Sequence, residues 1–380
     1  MDIICFCHIR WDFVYQRPQH LMARFAHHNR VFFIEEPFFE SAGNSFIEVR
    51  KDQDNLWIVT PHLLNSYTAD EIVFQQKILL SSLYKDYEIK NYIHWFYTPM
   101  ALIVSNHLQP EMVIYDCMDE LSNFKFAPVE LKQMEKELFT IADIVFTGGH
   151  NLYAAKKKAH HNIYPFPSSI DKTHFLQARS LTKEPDDQAN LSHPLFGFYG
   201  VIDERFDIEL LGQVAVQKPE WNFVIIGPVI KIDPATLPQL ANIHYLGARK
   251  YEQLPAYLSG WDVAMIPFLL NDSTKYISPT KTPEYLAAGV PVISSSIVDV
   301  INPYAVNKLV HIADNADEFI RAGENELKTL NKKNWLARVD LFLRNNSWEQ
   351  TWSEMMEHIN STLNTHGHLG IPIKNKEAYV

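Results

Sequence analysis

Short runs that are apolar at nearly every position recur along this chain, and they constrain its fold more than any other feature. In the first half they are residues 3–9 (IICFCHI), 31–35 (VFFIE), 56–60 (LWIVT), 91–97 (NYIHWFY), 112–116 (MVIYD) and 143–147 (DIVFT). They lack the in–out alternation of a strand with one wet face, so they suit a parallel sheet covered on both sides. Helix-period stretches lie between them near 18–28, 70–85, 129–142 and 151–159. Alternating β and α elements predict a doubly wound α/β domain.

The rhythm breaks once. Residues 176–194 (LQARSLTKEPDDQANLSHP) are polar, carry two prolines and offer no helix-length apolar face, as expected of a linker with an exposed loop. A second series follows at 195–202, 222–229, 242–247, 263–268, 291–295 and 309–313. Its helical patterns fall at 206–217, 251–259, 281–288, 315–326 and 331–344. Residues 346–364 then form one more amphipathic helix, with Trp348, Trp352, Met355, Met356 and Ile359 roughly on one face. The expected organisation is two Rossmann-like domains, 1–176 and 177–345, facing across a cleft. The 346–380 helix and tail return to the first domain, and the tail from Thr365 is expected to be mobile.

Composition excludes several function classes. A net charge of −11 argues against nucleic acid as partner, while a few local donors would still suffice for a small phosphorylated ligand. Glycine is only 13 of 380 residues, about half its usual share. There is no GxGxxG, no GxxxxGK[ST], no HExxH and no GxSxG, so dehydrogenase, P-loop ATPase, zinc protease and α/β-hydrolase readings lose their strongest support. Cys5, Cys7 and Cys117 form neither a disulfide framework nor a CxxC pair, and a reduced cytoplasmic setting is expected. The start, MDIICFCHIRWDF, lacks the basic n-region and long apolar core of a signal peptide. No metal site is expected. The paired His27–His28 and His160–His161 point apart on helices, and Asp52-Gln53-Asp54 reads as a solvated turn.

Two segments carry chemistry. In 271–296 (NDSTKYISPTKTPEYLAAGVPVISSS) Pro279 stops any earlier helix, Ser278 and Thr280 are N-cap types, and a helix from Lys281 ends at Gly289. Free N–H groups at such a helix start, with Lys281 adding a full charge, suit a phosphate. Glu284 shares the face of Lys281 and suits ribose hydroxyls; a capped surface helix with a Lys–Glu pair is the plain alternative. In 196–211 (FGFYGVIDERFDIELL) Gly200 ends a strand and Arg205 follows at its carboxyl end, where its planar fork suits a pyrophosphate. An ion pair with Glu204 or Asp207 is the alternative there.

These segments, with EWNFVIIGPV and NIHYLGARKYEQLPAYLSGWDVAMIPF in the second half, resemble GT-B-fold glycosyltransferases of the family 4-like kind. RPQHLMARFA, VIYDCMDELSNF and FPSSIDKTHF in the first half resemble the branch that builds exopolysaccharide and teichuronic acid. The resemblance implies that Arg205 and Lys281 hold a donor diphosphate beside Gly200 and that Glu284 binds ribose. It also implies that Gly247-Ala248-Arg249 reads the base through its backbone. Glu284 matches the second glutamate of an E-x7-E motif whose first position holds Tyr276 here, so Asp272, Ser273 or Thr274 are candidates to hold the donor sugar. Trp11, Arg17 and His20 are expected on the acceptor side, in place of the glycine-rich loop many relatives carry; a capping or packing role is the alternative for Arg17 and His20.

The expected reaction moves a sugar from a nucleotide diphosphate sugar, UDP favoured over GDP, to a saccharide or lipid-linked acceptor, without a further cofactor or metal. The resemblance implies retention. An inverting enzyme would need a general base, for which Asp116, Asp119 and His150 are candidates. The alternatives are a nucleotide-sugar epimerase of the same fold or a non-catalytic scaffold of polysaccharide assembly. Lys156-Lys157-Lys158 is the one basic cluster that could meet a membrane surface, as a peripheral protein at its inner face would require, or an acceptor's diphosphate; a solvated helix end is the plainer reading.

Overall fold

The computed structural model describes residues 1–329 and 331–365; of the tail expected to be mobile, Thr365 closes the last helix and the rest lies outside the described residues. The first sheet has nine strands: β1 (Asp2–Phe6), β2 (Val31–Ile34), β3 (Phe38–Glu40), β4 (Phe46–Gln53), β5 (Leu56–Leu64), β6 (Tyr92–Phe96), β7 (Met112–Cys117), β8 (Ile144–Thr147) and β9 (Ile163–Pro165). Their order is β3-β5-β2-β1-β6-β7-β8-β9, all parallel along that path, with β4 antiparallel on β5. The second sheet holds β10 (Leu195–Tyr199), β11 (Asn222–Ile226), β12 (Ile243–Gly247), β13 (Val263–Ile266), β14 (Val292–Ser294) and β15 (His311–Ile312), in the order β12-β11-β10-β13-β14-β15.

Every residue of β1, β2, β6, β10 and β13 is buried, which is why these runs show no alternation. One face of the first sheet packs Cys5, Phe25, Phe33 and Trp95 into a core; the other packs Phe32, Leu83, Tyr115 and Leu138. Fully burying one such aliphatic or aromatic side chain contributes about 1.5–3 kcal/mol. Strand order reverses at β1 in the first sheet and at β10 in the second, so each sheet opens a crevice at the exit of that strand.

The chain passes into the second lobe earlier than its polar linker suggests. Ile170, Phe175 and Ala178 already belong to the second lobe's core, because the short helix Lys172–Leu176 packs there. The helix Trp348–Thr365 returns to the first lobe, seating Trp348, Met355, Met356, Ile359 and Leu363 in its core. The two passages meet: Trp348 N–H donates to the Ile170 carbonyl at 3.1 Å, and Ser169 Oγ bonds Asn346 at 2.6 Å.

Two local readings change. Residues 46–53 are an edge strand, so Asp52 and Gln53 close β4 and the turn falls at Asp54–Asn55, with Asn55 at φ +61°. The basic cluster loses a member: Lys156 is held by Glu120 at 2.6 Å and Glu135 at 2.7 Å and His160 is buried against the Ala142 carbonyl, while Lys157 and Lys158 stay exposed.

Candidate active site

The exits of β10 and β11 form the floor of a cleft of about 520 Å³ between the lobes. Both strands end in glycine at positive φ, Gly200 at +139° and Gly227 at +145°. A Cβ on Gly227 would lie 1.8 Å from the Gly200 carbonyl oxygen, and one on Gly200 would lie 2.3 Å from Lys281 Cε. The stem of Lys281 therefore crosses bare backbone to enter the cleft.

Lys281 opens the helix Lys281–Ala287, which Gly289 ends at φ +81°. Val290 N–H donates to the Tyr285 carbonyl and Gly289 N–H to that of Leu286, the two bonds of a Schellman cap. Its ammonium sits 5.5 Å from the Phe198 ring centroid and 5.6 Å from that of Phe268. Among the described residues it has neither a hydrogen bond nor an ion pair. Lost hydration, then the charge of Arg205, pull its pKa down to about 8.

Glu284 is buried one turn on and accepts from the Tyr199 hydroxyl at 2.5 Å. Burial pushes its carboxyl up to about 7, against that hydrogen bond and the nearby Lys281. Arg205 is clamped by buried Asp203 through Nε at 2.9 Å and Nη2 at 2.7 Å, leaving Nη1 without a partner among the described residues. The partner is Asp203, not Glu204 or Asp207. Glu204 takes the Lys125 N–H from the other lobe, and Asp207 caps the helix Ile208–Gln217. The Phe124 ring of the first lobe lies 5.2 Å from the Arg205 guanidinium carbon.

The cleft brings together Trp11, Gly200, Arg205, Ala248, Arg249, Thr280, Lys281 and Glu284. Arg249 is tied to Asp187 and to Tyr257 Oη, so its side chain braces the loop. Gly247, at φ +72°, stands just behind, its carbonyl taking the Gly227 N–H at 2.9 Å. Asp119 does not line the cleft but lies beside it. Lost hydration raises it to about 6, while Arg205, Arg17 and Lys281 oppose the shift.

Other expected residues lie elsewhere. Arg17 does not reach the cleft: it is buried and forked onto Asp116 at 2.8–3.1 Å, with Nη1 on the Phe166 carbonyl at 2.7 Å. That pair also takes Asp116 out of the set of general bases. His20 is buried, stacked 4.7 Å from Trp348, and held well below its ordinary pKa by burial. Thr274 is folded into its own turn, bonding the Leu269 carbonyl at 2.5 Å, and its side faces a smaller pocket with Asp272 and Lys275. Tyr276 packs against the core of the first lobe. Ser278 gives its carbonyl to Ser168 Oγ, and His150 is exposed at the start of an interlobe helix. A turn or a helix face chosen from sequence cannot show these tertiary partners.

The sequence reading missed Tyr15, Tyr199, Asp203 and Tyr251. Tyr199 and Asp203 flank a strand exit already singled out, and Tyr251 follows the Gly247-Ala248-Arg249 loop, so proximity to those motifs was the available signal. Among the described residues no group of three His, Cys, Asp or Glu side chains is placed to hold a metal, and no helix is long and apolar enough to cross a membrane.

Residues 196–328, the stretch that carries Gly200, Arg205, Lys281 and Glu284, match the family model for glycosyl transferases group 1. The second lobe is thus a group 1 glycosyltransferase domain. The chain is 22% identical over 290 residues, 70% of each chain, to TuaH of Bacillus subtilis strain 168, described as a teichuronic acid biosynthesis glycosyltransferase. Its fold is shared with sucrose-phosphate synthase from Thermosynechococcus elongatus, at TM-score 0.68 and 16% identity over 96% of this chain and 100% of that one. It is shared as well with a UDP-forming trehalose-phosphate synthase from Burkholderia xenovorans, at TM-score 0.69 and 11% identity over 97% and 100%.

Proposed function

We propose that this glycosyltransferase moves a sugar from a nucleotide diphosphate sugar, UDP favoured, to a saccharide or lipid-linked acceptor in surface polysaccharide assembly. The observation that carries the reading is the bare ammonium of Lys281 beside the clamped Arg205, with the buried carboxylate of Glu284 one turn away. Two cations suit a diphosphate, and a carboxylate that would repel phosphate suits the ribose next to it. The polysaccharide role draws on TuaH. UDP draws on the B. xenovorans enzyme, described as UDP-forming, and on an E. coli structure of the same fold bound with UDP-2-fluoro glucose.

In the reaction the acceptor hydroxyl attacks the anomeric carbon as the bond to the diphosphate oxygen breaks. Negative charge then builds on the departing phosphate, where Arg205 and Lys281 stabilise it in place of a metal ion. We assign retention, with the acceptor on the leaving-group face and its proton passing to the departing oxygen. Inversion with Asp119 as general base is a second reading, favoured by its raised pKa beside the cleft. The anomeric configuration of the product, read by NMR, separates the two.

The test is nucleotide release from UDP-, GDP- and ADP-sugars by the purified chain and by Lys281→Ala. Loss of about a hundredfold or more in the variant, with its fold intact, is expected of a group that stabilises the leaving charge. Unchanged turnover would remove the reading.

A further inference from the structure

The hydroxyl of Tyr251 is buried and has no hydrogen-bond partner. Folded proteins avoid that arrangement, since the hydroxyl has given up water for nothing. The ring cannot turn to find a partner. It is stacked on His174 at 4.3 Å and 12°, His174 Nε2 is bonded to the Tyr251 carbonyl at 3.0 Å, and Tyr15 of the other lobe lies against it at 4.8 Å. Tyr251 and Glu284 line the same cleft. Glu284 is half engaged: Tyr199 occupies one carboxylate oxygen, and the other has no hydrogen bond among the described residues.

A ligand that satisfies both groups must offer one hydroxyl to a phenol and another to a carboxylate lining the same cleft. Adjacent hydroxyls on one ring do this, and a phosphate does not, because the carboxylate repels it. We propose that Tyr251 is a second hydroxyl-recognising residue of the nucleoside subsite, sharing the two ribose hydroxyls of the donor with Glu284 while Tyr15 closes the subsite from the opposite lobe. The inference rests on the nucleotide-sugar reading and extends it to a residue that sequence motifs did not mark.

The experiment measures binding of UDP, 2′-deoxy-UDP and 3′-deoxy-UDP to the full chain and to Tyr251→Phe by calorimetry, with GDP and ADP alongside. The phenylalanine keeps the ring stacks and removes only the unpaired hydroxyl, so the melting temperature of the free variant should not fall. UDP affinity should drop about three- to tenfold, the size of one neutral hydrogen bond. Affinity for the deoxynucleotide that lacks the matching hydroxyl should not change. Equal UDP affinity in the two proteins, or an equal loss for UDP and both deoxy forms, would overturn the proposal and leave the donor reading standing. Failure of the unaltered chain to bind any of the three nucleotides would overturn both.

Discussion

Lys281 illustrates how a site can be set against the stability of the fold that holds it. Its pKa lies below that of a free lysine, so its contribution to stability is present at high pH and is lost as pH falls through about 8. At neutral pH the charged side chain therefore destabilises the empty protein. Lys281→Met should raise stability at pH 7 by about 1–2 kcal/mol, less than the full shift implies because the ammonium is partly exposed. The same change should abolish nucleotide diphosphate binding; denaturant melts with and without UDP check both. Binding a diphosphate restores the lysine's preference for its proton, so UDP should bind with proton uptake above pH 8. Calorimetry in buffers of different ionisation enthalpy reads this directly, and Lys281→Met should lose it. Glu284, raised to about 7, must be ionised to accept ribose hydroxyls, so affinity should also fall below that pH. At this scale Lys281, Arg205 and Glu284 were legible because local spacing places them at a strand exit and on one helix face. Arg17 and His20 were not, since the partners that bury them, Asp116 and Trp348, lie 99 and 328 positions away in the chain.

At the level of elements, the strands that build both sheet centres were readable from their unbroken apolar runs, because burial on both faces leaves that mark. The edges were not. β3 is exposed along its length, and β4 alternates charge with half-buried residues, so neither carries a continuous run. The loops leaving β10 and β11 show the reverse case, in which two glycines matter more than any side chain. Gly200→Ala would place a methyl against Lys281 Cε in a backbone conformation that L residues rarely adopt. It should cost about 1–3 kcal/mol of stability and weaken UDP binding more than Ala substitution at exposed Val298. Melting and titration of the two variants together check this. Equal binding in both would mean that the stem of Lys281 does not need that path.

Across the whole molecule, the two chain passages between the lobes meet where Ile170 touches Trp348, and further contacts bridge the lobes around the cleft. Asn123 donates to the Asp272 carbonyl at 3.0 Å, Asp299 caps the Asn151 N–H at 3.0 Å, and Phe124 covers Arg205. Contacts between lobes leave no periodic trace in sequence, which is why the residues lining the second-lobe wall of the cleft could be read in advance and those of the facing wall could not. Only Trp11 of the three residues expected there lines it. That the cleft takes a nucleotide diphosphate sugar is tested most directly by thermal stability of the full chain against UDP, GDP, ADP, CMP and their common sugars. A ligand that binds only the folded state adds RT ln(1 + [L]/Kd), about 2.7 kcal/mol at a hundredfold excess. A rise with one nucleotide diphosphate, UDP first, that disappears in Lys281→Ala is the expected result. No rise with any of them would contradict the assignment of the cleft.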